Sequence, residues 1–227
     1  FKCSDTYIRK FLHTHLHWSM HTSTCATQKT LANWLGLCED IFMWLAYYIK
    51  MFDVPAELVI NVDQTGVCLI PARNKTWVPT GSKQVNTFGK EEKQQFTLMV
   101  ASSAAGDLLP FQAIIKGKTL RSLPSNNSQA EGEQMGIIWT LGGENHWSSL
   151  KAMKMWMNDV PVPHIERVKK WLGLPVAQKA ILVINSWSVH IGKDYREWMR
   201  QEHIHIKINY IPAGCAFSPF YLRSFHH

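Results

Sequence analysis

Two short strand patterns, each ending in a polar side chain, constrain the fold of this chain most. The first covers residues 59–62 and ends at Asp63, and the second covers residues 180–184 and ends at Asn185. The second is a continuous apolar run, which is typical of a strand that is covered on both faces. If the two strands are neighbours, their last side chains face one cleft, because ligands gather at the carboxyl ends of strands in such sheets.

The residue types at these two positions predict different chemistry. Carboxylates at both strand ends, joined by a third from a later helix, would hold two Mg²⁺ ions for phosphoryl transfer. Asp63 suits that role, but on spacing alone it equally suits a turn acid that accepts the backbone N–H of Gln64 or Thr65. Asn185 brings an amide oxygen without charge, so a local hydrogen bond is its favoured role when it is considered alone.

The flanking patterns predict an α/β fold. Ser4 is placed to cap a helix whose apolar face holds Tyr7, Ile8, Phe11 and Leu12, and residues 18–36 are interpreted as a connection. A second helix is expected over residues 39–52, with a buried face that includes Phe42. Six short strands follow, over residues 58–63, 67–70, 76–78, 84–88, 96–101 and 108–115, with a turn at 102–107.

The second half of the chain predicts a long exposed loop, then alternating helices and strands. The loop covers residues 116–136, which are rich in Ser, Asn and Gly. Helices are expected over residues 148–158, 164–172 and 193–201, and strands over 180–185 and 206–211. This order predicts a mixed sheet in which the first three strands are antiparallel and the later ones parallel, flanked by helices.

The charge of the chain favours a polyanionic partner. The formal net charge is +7, and no apolar run is long enough to span a membrane. Five irregularly spaced cysteines without a C-x-x-C pair indicate reduced thiols in an intracellular protein. A surface that tracks a phosphate backbone is predicted from five basic residues interleaved with aromatic ones, with a solvated sheet face as the alternative. These residues are Arg73, Lys75, Lys83, Lys90 and Lys93, and His190 is a further candidate for a phosphate contact.

Several runs, agreeing in order and spacing, resemble one family. They are VINVDQTGVCLIP from residue 59, KTWVPTGSKQVNTFGKEEKQQFTLMV from residue 75, HWSSLKAMKMW from residue 146, LGLPVAQKAILVINSWSVH from residue 172 and IKINYIPAGC from residue 206. Together they are similar to DDE-type transposases of the pogo/Tigger branch of the mariner superfamily, in the form common in fungal genomes.

This resemblance implies a ribonuclease H-like fold and a nuclear protein that cuts and joins transposon DNA with Mg²⁺ or Mn²⁺. It implies DNA as partner, a possible homodimer and no membrane association. Residues 1–26 then correspond to the end of a centromere-protein-B-like helix-turn-helix module, and residues 27–57 to a helical connector. Residues 58–215 form an incomplete DDE domain, and residues 216–227 an atypical tail.

Mapped on the family pattern, Asp63 matches the first catalytic acid and metal ligand, and Asn185 stands at the second acid position. The third acid normally follows the P-x-G-C sequence, found here at residues 212–215, yet no Asp or Glu occurs after Glu202. We therefore expect a transposase-derived domain without catalytic activity, in which metal binding is doubtful. The alternative is a non-catalytic domain recruited for DNA binding or protein interaction.

Overall fold

The computed structural model describes residues 4–22, 33–68, 75–82 and 95–212. The chain divides into two compact units, one within residues 1–28 and 68–94 and the other within residues 29–67 and 95–227. The assignment of residues 58–215 to the DDE domain stays a prediction. The assignment of residues 1–26 to a DNA-binding module stays a prediction.

The described residues contain seven α-helices and eight strands. The helices are α1 (Asp5–His15), α2 (Trp34–Phe52), α3 (Asn126–Gln134), α4 (Leu150–Asp159), α5 (Pro161–Leu172), α6 (Ser188–Ile191) and α7 (Lys193–Glu202). The strands are β1 (Trp18–Thr22), β2 (Val59–Cys68), β3 (Lys75–Pro79), β4 (Gln95–Ser103), β5 (Phe111–Ile115), β6 (Ile137–Leu141), β7 (Ala180–Asn185) and β8 (Ile206–Ile211). None of these helices has the length and apolarity needed to cross a membrane.

The first unit contains α1 and a two-stranded antiparallel sheet of β1 and β3, in which Met20 lies opposite Trp77. The Ser4 hydroxyl accepts the Tyr7 backbone N–H at 3.3 Å, which confirms the predicted cap. Two expectations are wrong here. β1 lies where we expected a connection, and α1 buries none of its residues, so its apolar stripe faces solvent.

The second unit is built on a six-stranded mixed sheet with the order β6-β5-β4-β2-β7-β8. β2, β7 and β8 are parallel, β4 and β5 are antiparallel, and β5 and β6 are parallel. The Ala104 N–H after β4 donates to the Val59 carbonyl at the beginning of β2 at 2.8 Å, as in an antiparallel pair. This topology confirms the predicted mixed α/β fold and its ribonuclease H-like arrangement.

The core of this unit lies between the sheet and the helices α4 and α5. Met153, Trp156 and Met157 of α4 are almost fully buried in the same cluster as the residues of β7. Residues 180–184 of β7 are all buried, as the continuous apolar run predicts. The sheet is therefore fixed by apolar packing up to the residue before Asn185.

Three further expectations for the second unit need correction. The predicted loop over residues 116–136 contains α3, and β6 follows it where no strand was expected. Polar residues without an apolar stripe concealed α3, whose Gly132 packs against the ring of Trp139 in β6. In α2, Ile41 is buried as expected, but Phe42 faces solvent.

Candidate functional site

Asp63 and Asn185 meet where the parallel pairing of β2 with β7 ends. β7 ends at Asn185, but β2 continues to Cys68, so the expected strand end at Asp63 is wrong. Val62 of β2 lies opposite Ile184 of β7, so the next residue of each strand is delivered to the same place. Asn185 Nδ2 lies 3.5 Å from Asp63 Oδ1, at the long limit of a hydrogen bond. The expectation that these strands are neighbours and share an edge is confirmed.

The carboxylate of Asp63 also has the local role that the sequence left open. The backbone N–H of Gln64 donates to Asp63 Oδ1 at 2.8 Å, so the oxygen that faces Asn185 also accepts this N–H. Asn185 Oδ1 is buried and has no hydrogen-bond partner among the described residues. The amide is thus oriented with its donor towards the carboxylate, the orientation that charge favours.

His190 makes hydrogen bonds to residues of β2, β7 and β8 behind this pair. Its Nδ1 lies 3.0 Å from the Asn185 carbonyl, which can only accept, so Nδ1 carries the proton. Its Nε2 then accepts from Gln64 Nε2 at 3.1 Å. The Tyr210 hydroxyl of β8 donates to the His190 carbonyl at 2.9 Å. This network fixes the backbone of Asn185 relative to the end of β2.

The protonation state of His190 follows from its burial. The side chain is fully buried, and loss of hydration lowers its pKa, against the hydrogen bond to the Asn185 carbonyl, which raises it. The ring is therefore neutral at pH 7, with both nitrogens engaged. In this position it holds the strand ends together, and the predicted phosphate contact stays a prediction that the burial does not favour.

Two exposed indoles lie beside the strand ends. The Trp187 backbone N–H donates to the Asn185 backbone carbonyl at 2.9 Å. This bond holds the Trp187 backbone close to that of Asn185. Its ring stacks on Trp147, with centroids 5.9 Å apart and planes inclined by 26°. The sequence analysis gave no role to Trp147 or Gln64, because their partners are 40 and 126 residues away along the chain.

The donor set at this edge does not fit a pair of divalent cations. Hard cations such as Mg²⁺ require oxygen ligands that carry negative charge. Asp63 supplies one carboxylate, and Asn185 replaces the second by a neutral amide. In the described residues no three His, Cys, Asp or Glu side chains come together as a metal site. A two-metal mechanism therefore has no support in the residues found here.

The predicted basic surface cannot be placed from the structure. Four of its members, Arg73, Lys83, Lys90 and Lys93, lie outside the described residues. Lys75 begins β3, but its side chain lies outside the description as well. The grouping of these residues on one DNA-binding surface stays a prediction.

Sequence comparison assigns the family. The sequence model of the DDE superfamily endonuclease family matches residues 93–219, more than half of the chain. The chain belongs to this family. The matched stretch includes Asn185 and begins after Asp63, so the role of Asp63 rests on its position next to Asn185. No curated protein sequence matches the chain significantly.

Solved structures of a mariner transposase are similar to this chain at low sequence identity. The Mos1 mariner paired-end complex with Mn has 8% identity and a TM-score of 0.48, covering 90% of this chain and 52% of that one. A pre-cleavage Mos1 transpososome has 11% identity and a TM-score of 0.48, covering 91% and 50%. A Mos1 paired-end complex with the left transposon end has 9% identity and a TM-score of 0.43, covering 98% and 56%. The chain thus spans about half the length of these structures.

Proposed function

We propose that this chain is a DDE domain of transposase descent that binds DNA but does not cut or join it. The observation that carries the proposal is the pair formed by Asp63 and Asn185 where the pairing of β2 with β7 ends. Membership of the endonuclease family gives the ancestral chemistry. The amide at position 185 argues against retention of that chemistry in this chain.

The argument from Asn185 is one of charge. Replacing a carboxylate by an amide of the same shape leaves the sheet and its edge intact but removes one of the few negative charges that offset two divalent ions. With a neutral amide beside Asp63, we propose that neither Mg²⁺ nor Mn²⁺ supports phosphoryl transfer here.

DNA remains the partner that we propose. The net charge of +7 favours a phosphate backbone, and the similar Mos1 structures are a paired-end complex and a transpososome. A role in the nucleus, and descent from the pogo/Tigger branch of fungal genomes, belong to the same proposal. The motifs given above, which agree in order and spacing, support that branch.

Fluorescence anisotropy with labelled duplex DNA over a range of salt concentrations tests the binding. Phosphate contacts release counterions, so the affinity must fall steeply and linearly in a plot of log K against log salt. Charge reversal of Lys83, Lys90 and Lys93 should weaken binding and make the slope shallower, while EDTA should change neither. Absence of binding at low salt would reject DNA as the partner and favour a protein-interaction domain.

A homodimer is the second part of the proposal, and α2 offers a surface for it. Met43 and Tyr47 project from the side of α2 opposite its buried residues and are exposed. Asp40 and Lys50, also exposed, lie on the same side, because residues three, four and seven apart share one helix face. When two copies of α2 pack antiparallel about a two-fold axis, Asp40 of one lies opposite Lys50 of the other. This charge complementarity favours a second copy of the chain as the partner that covers this face of α2.

A further inference from the structure

Two large aromatic side chains are exposed near Asp63 and Asn185. Trp147 is 42% exposed and Trp187 is 41% exposed. Their rings are stacked at 5.9 Å between centroids, and we refer to the two as the tryptophan platform. Exposed aromatic surface of this size is unfavourable in water, so an aromatic ligand that covers it gains free energy.

The backbone and ring contacts of the platform restrict its movement. The Trp147 backbone N–H donates to Asn145 Oδ1 at 3.1 Å, and the buried His146 ring lies 4.7 Å from the Trp147 ring. The Trp187 backbone N–H donates to the Asn185 carbonyl. Restricting both residues before a ligand arrives lowers the conformational entropy that stacking on them would cost.

The position of the platform indicates what it would stack. Trp187 follows Asn185 by two residues, so the indoles border the edge where Asp63 and Asn185 lie. A strand of DNA at that edge would bring its bases within reach of the rings. Bases inside a duplex are already stacked on each other and offer no free face, whereas unpaired bases do.

We propose that the tryptophan platform binds unpaired bases of DNA beside Asp63 and Asn185. The inference rests on the proposed DNA binding and deepens it, since it specifies opened or single-stranded ends as the preferred ligand. Stacking on aromatic rings is tolerant of sequence, because every base has a π face. The platform therefore gives the domain a preference for DNA structure and none for a base sequence.

Three labelled DNAs of equal charge test this proposal: a blunt duplex, a duplex with an overhang of unpaired bases, and the same overhang with abasic sites. The wild-type chain should bind the overhang about tenfold more tightly than the blunt duplex, and abasic sites should remove the gain. Trp187→Leu and Trp147→Leu should each remove most of that gain. The salt slope should stay unchanged, because no phosphate contact is lost.

Matched variants separate stacking from general damage to the fold. Trp187→Phe keeps an aromatic ring and should retain most of the preference for the overhang. Trp171→Leu changes an indole that is 71% exposed on α5 and should leave all three affinities unchanged. If the Trp147 and Trp187 variants behave like Trp171→Leu, the platform is not a base-binding site, while salt-dependent duplex binding would still support the proposed function. If the wild-type chain binds none of the DNAs, both proposals fail.

Discussion

The interior of the central sheet and its carboxyl edge differ in what they require of the sequence. Residues 180–184 of β7 are all buried, and any set of apolar side chains of similar volume would hold that strand. One residue later, the chemistry depends on the identity of a single side chain. An amide at position 185 keeps the shape of a carboxylate without its charge, so the sheet tolerates it, whereas a site for two divalent cations would lack one negative charge.

The largest expected effect on stability comes from removing a large buried side chain from the core. Trp156 of α4 is 1% exposed and packs in the core. Trp156→Ala should lower the free energy of unfolding by about 3–5 kcal/mol, the range for a large buried ring. Chemical denaturation measures this change. Trp171→Ala, at an exposed position on α5, should change it by less than about 0.5 kcal/mol, and a similar loss in both variants would contradict the packing described.

A second change adds a carboxylate beside Asp63, at the position where the family resemblance implies an acid. Asn185→Asp places a carboxylate oxygen about 3.5 Å from Asp63 Oδ1, and two like charges at this distance repel by about 1 kcal/mol in a water-like dielectric. Repulsion between the two carboxylates then raises the pKa of the pair above the ordinary value for Asp. Stability relative to wild type should therefore be retained at acid pH and be lost as the pH rises through that pKa. Denaturation at several pH values measures the difference.

The double variant Asp63→Asn with Asn185→Asp is the matched control for this charge effect. It exchanges the two side chains and keeps one carboxylate at the edge, so its stability should return to near that of wild type. Addition of Mn²⁺ should stabilise Asn185→Asp, by linkage to the bound ion, and leave the double variant unchanged. Equal stability of all three proteins would show that the two strand ends do not interact.

The buried His190 predicts a smaller, pH-dependent effect. Because burial lowers its pKa below the ordinary value of 6.5, the neutral ring contributes stability above pH 6.5 that is lost as the pH falls through the lowered pKa. His190→Gln should remove this contribution. Burial also lowers the pKa of His203 and His205, so the difference between wild type and variant between pH 5 and 8 is the quantity to measure. Identical pH profiles would contradict the assigned neutral state.

The smallest expected effect concerns the exposed face of α2. Asp40→Lys places like charges opposite each other in the proposed antiparallel pair, and should weaken dimerisation by a few-fold. Adding Lys50→Asp should restore it. Sedimentation of the full chain at increasing concentrations measures the dissociation constant. A monomer at all concentrations, or no recovery in the double variant, would reject this arrangement.

The sequence predicts the central sheet well and its periphery poorly. β7 has the predicted bounds, because a continuous apolar run is characteristic of a buried strand. β8 also has the predicted bounds, with apolar residues interrupted by Lys207 and Asn209. The turn at residues 102–107 also forms, with Gly106 at φ +97°. By contrast α3, which contains Asn, Gln and Glu but no apolar stripe, is stabilised by contacts with β6 that no local pattern reveals.

The candidate site, too, was predictable from the sequence only in part. The neighbouring positions of Asp63 and Asn185 follow from two strand patterns and the preference for parallel pairing. The contact between Gln64 and His190, and the stacking of Trp147 on Trp187, depend on how α4, α6 and the preceding loop fold back on the sheet. Such contacts join distant residues, so a single sequence gives no local signal for them.

A nicking assay on supercoiled plasmid tests the central claim most directly. Purified wild-type chain and Asp63→Ala are incubated with the plasmid in Mg²⁺ or Mn²⁺, and open circular product is measured over time. If the amide at position 185 prevents metal-dependent chemistry, as proposed, both proteins should give the same background. Metal-dependent nicking by the wild-type chain that Asp63→Ala abolishes would show that the edge formed by Asp63 and Asn185 is still a working active site.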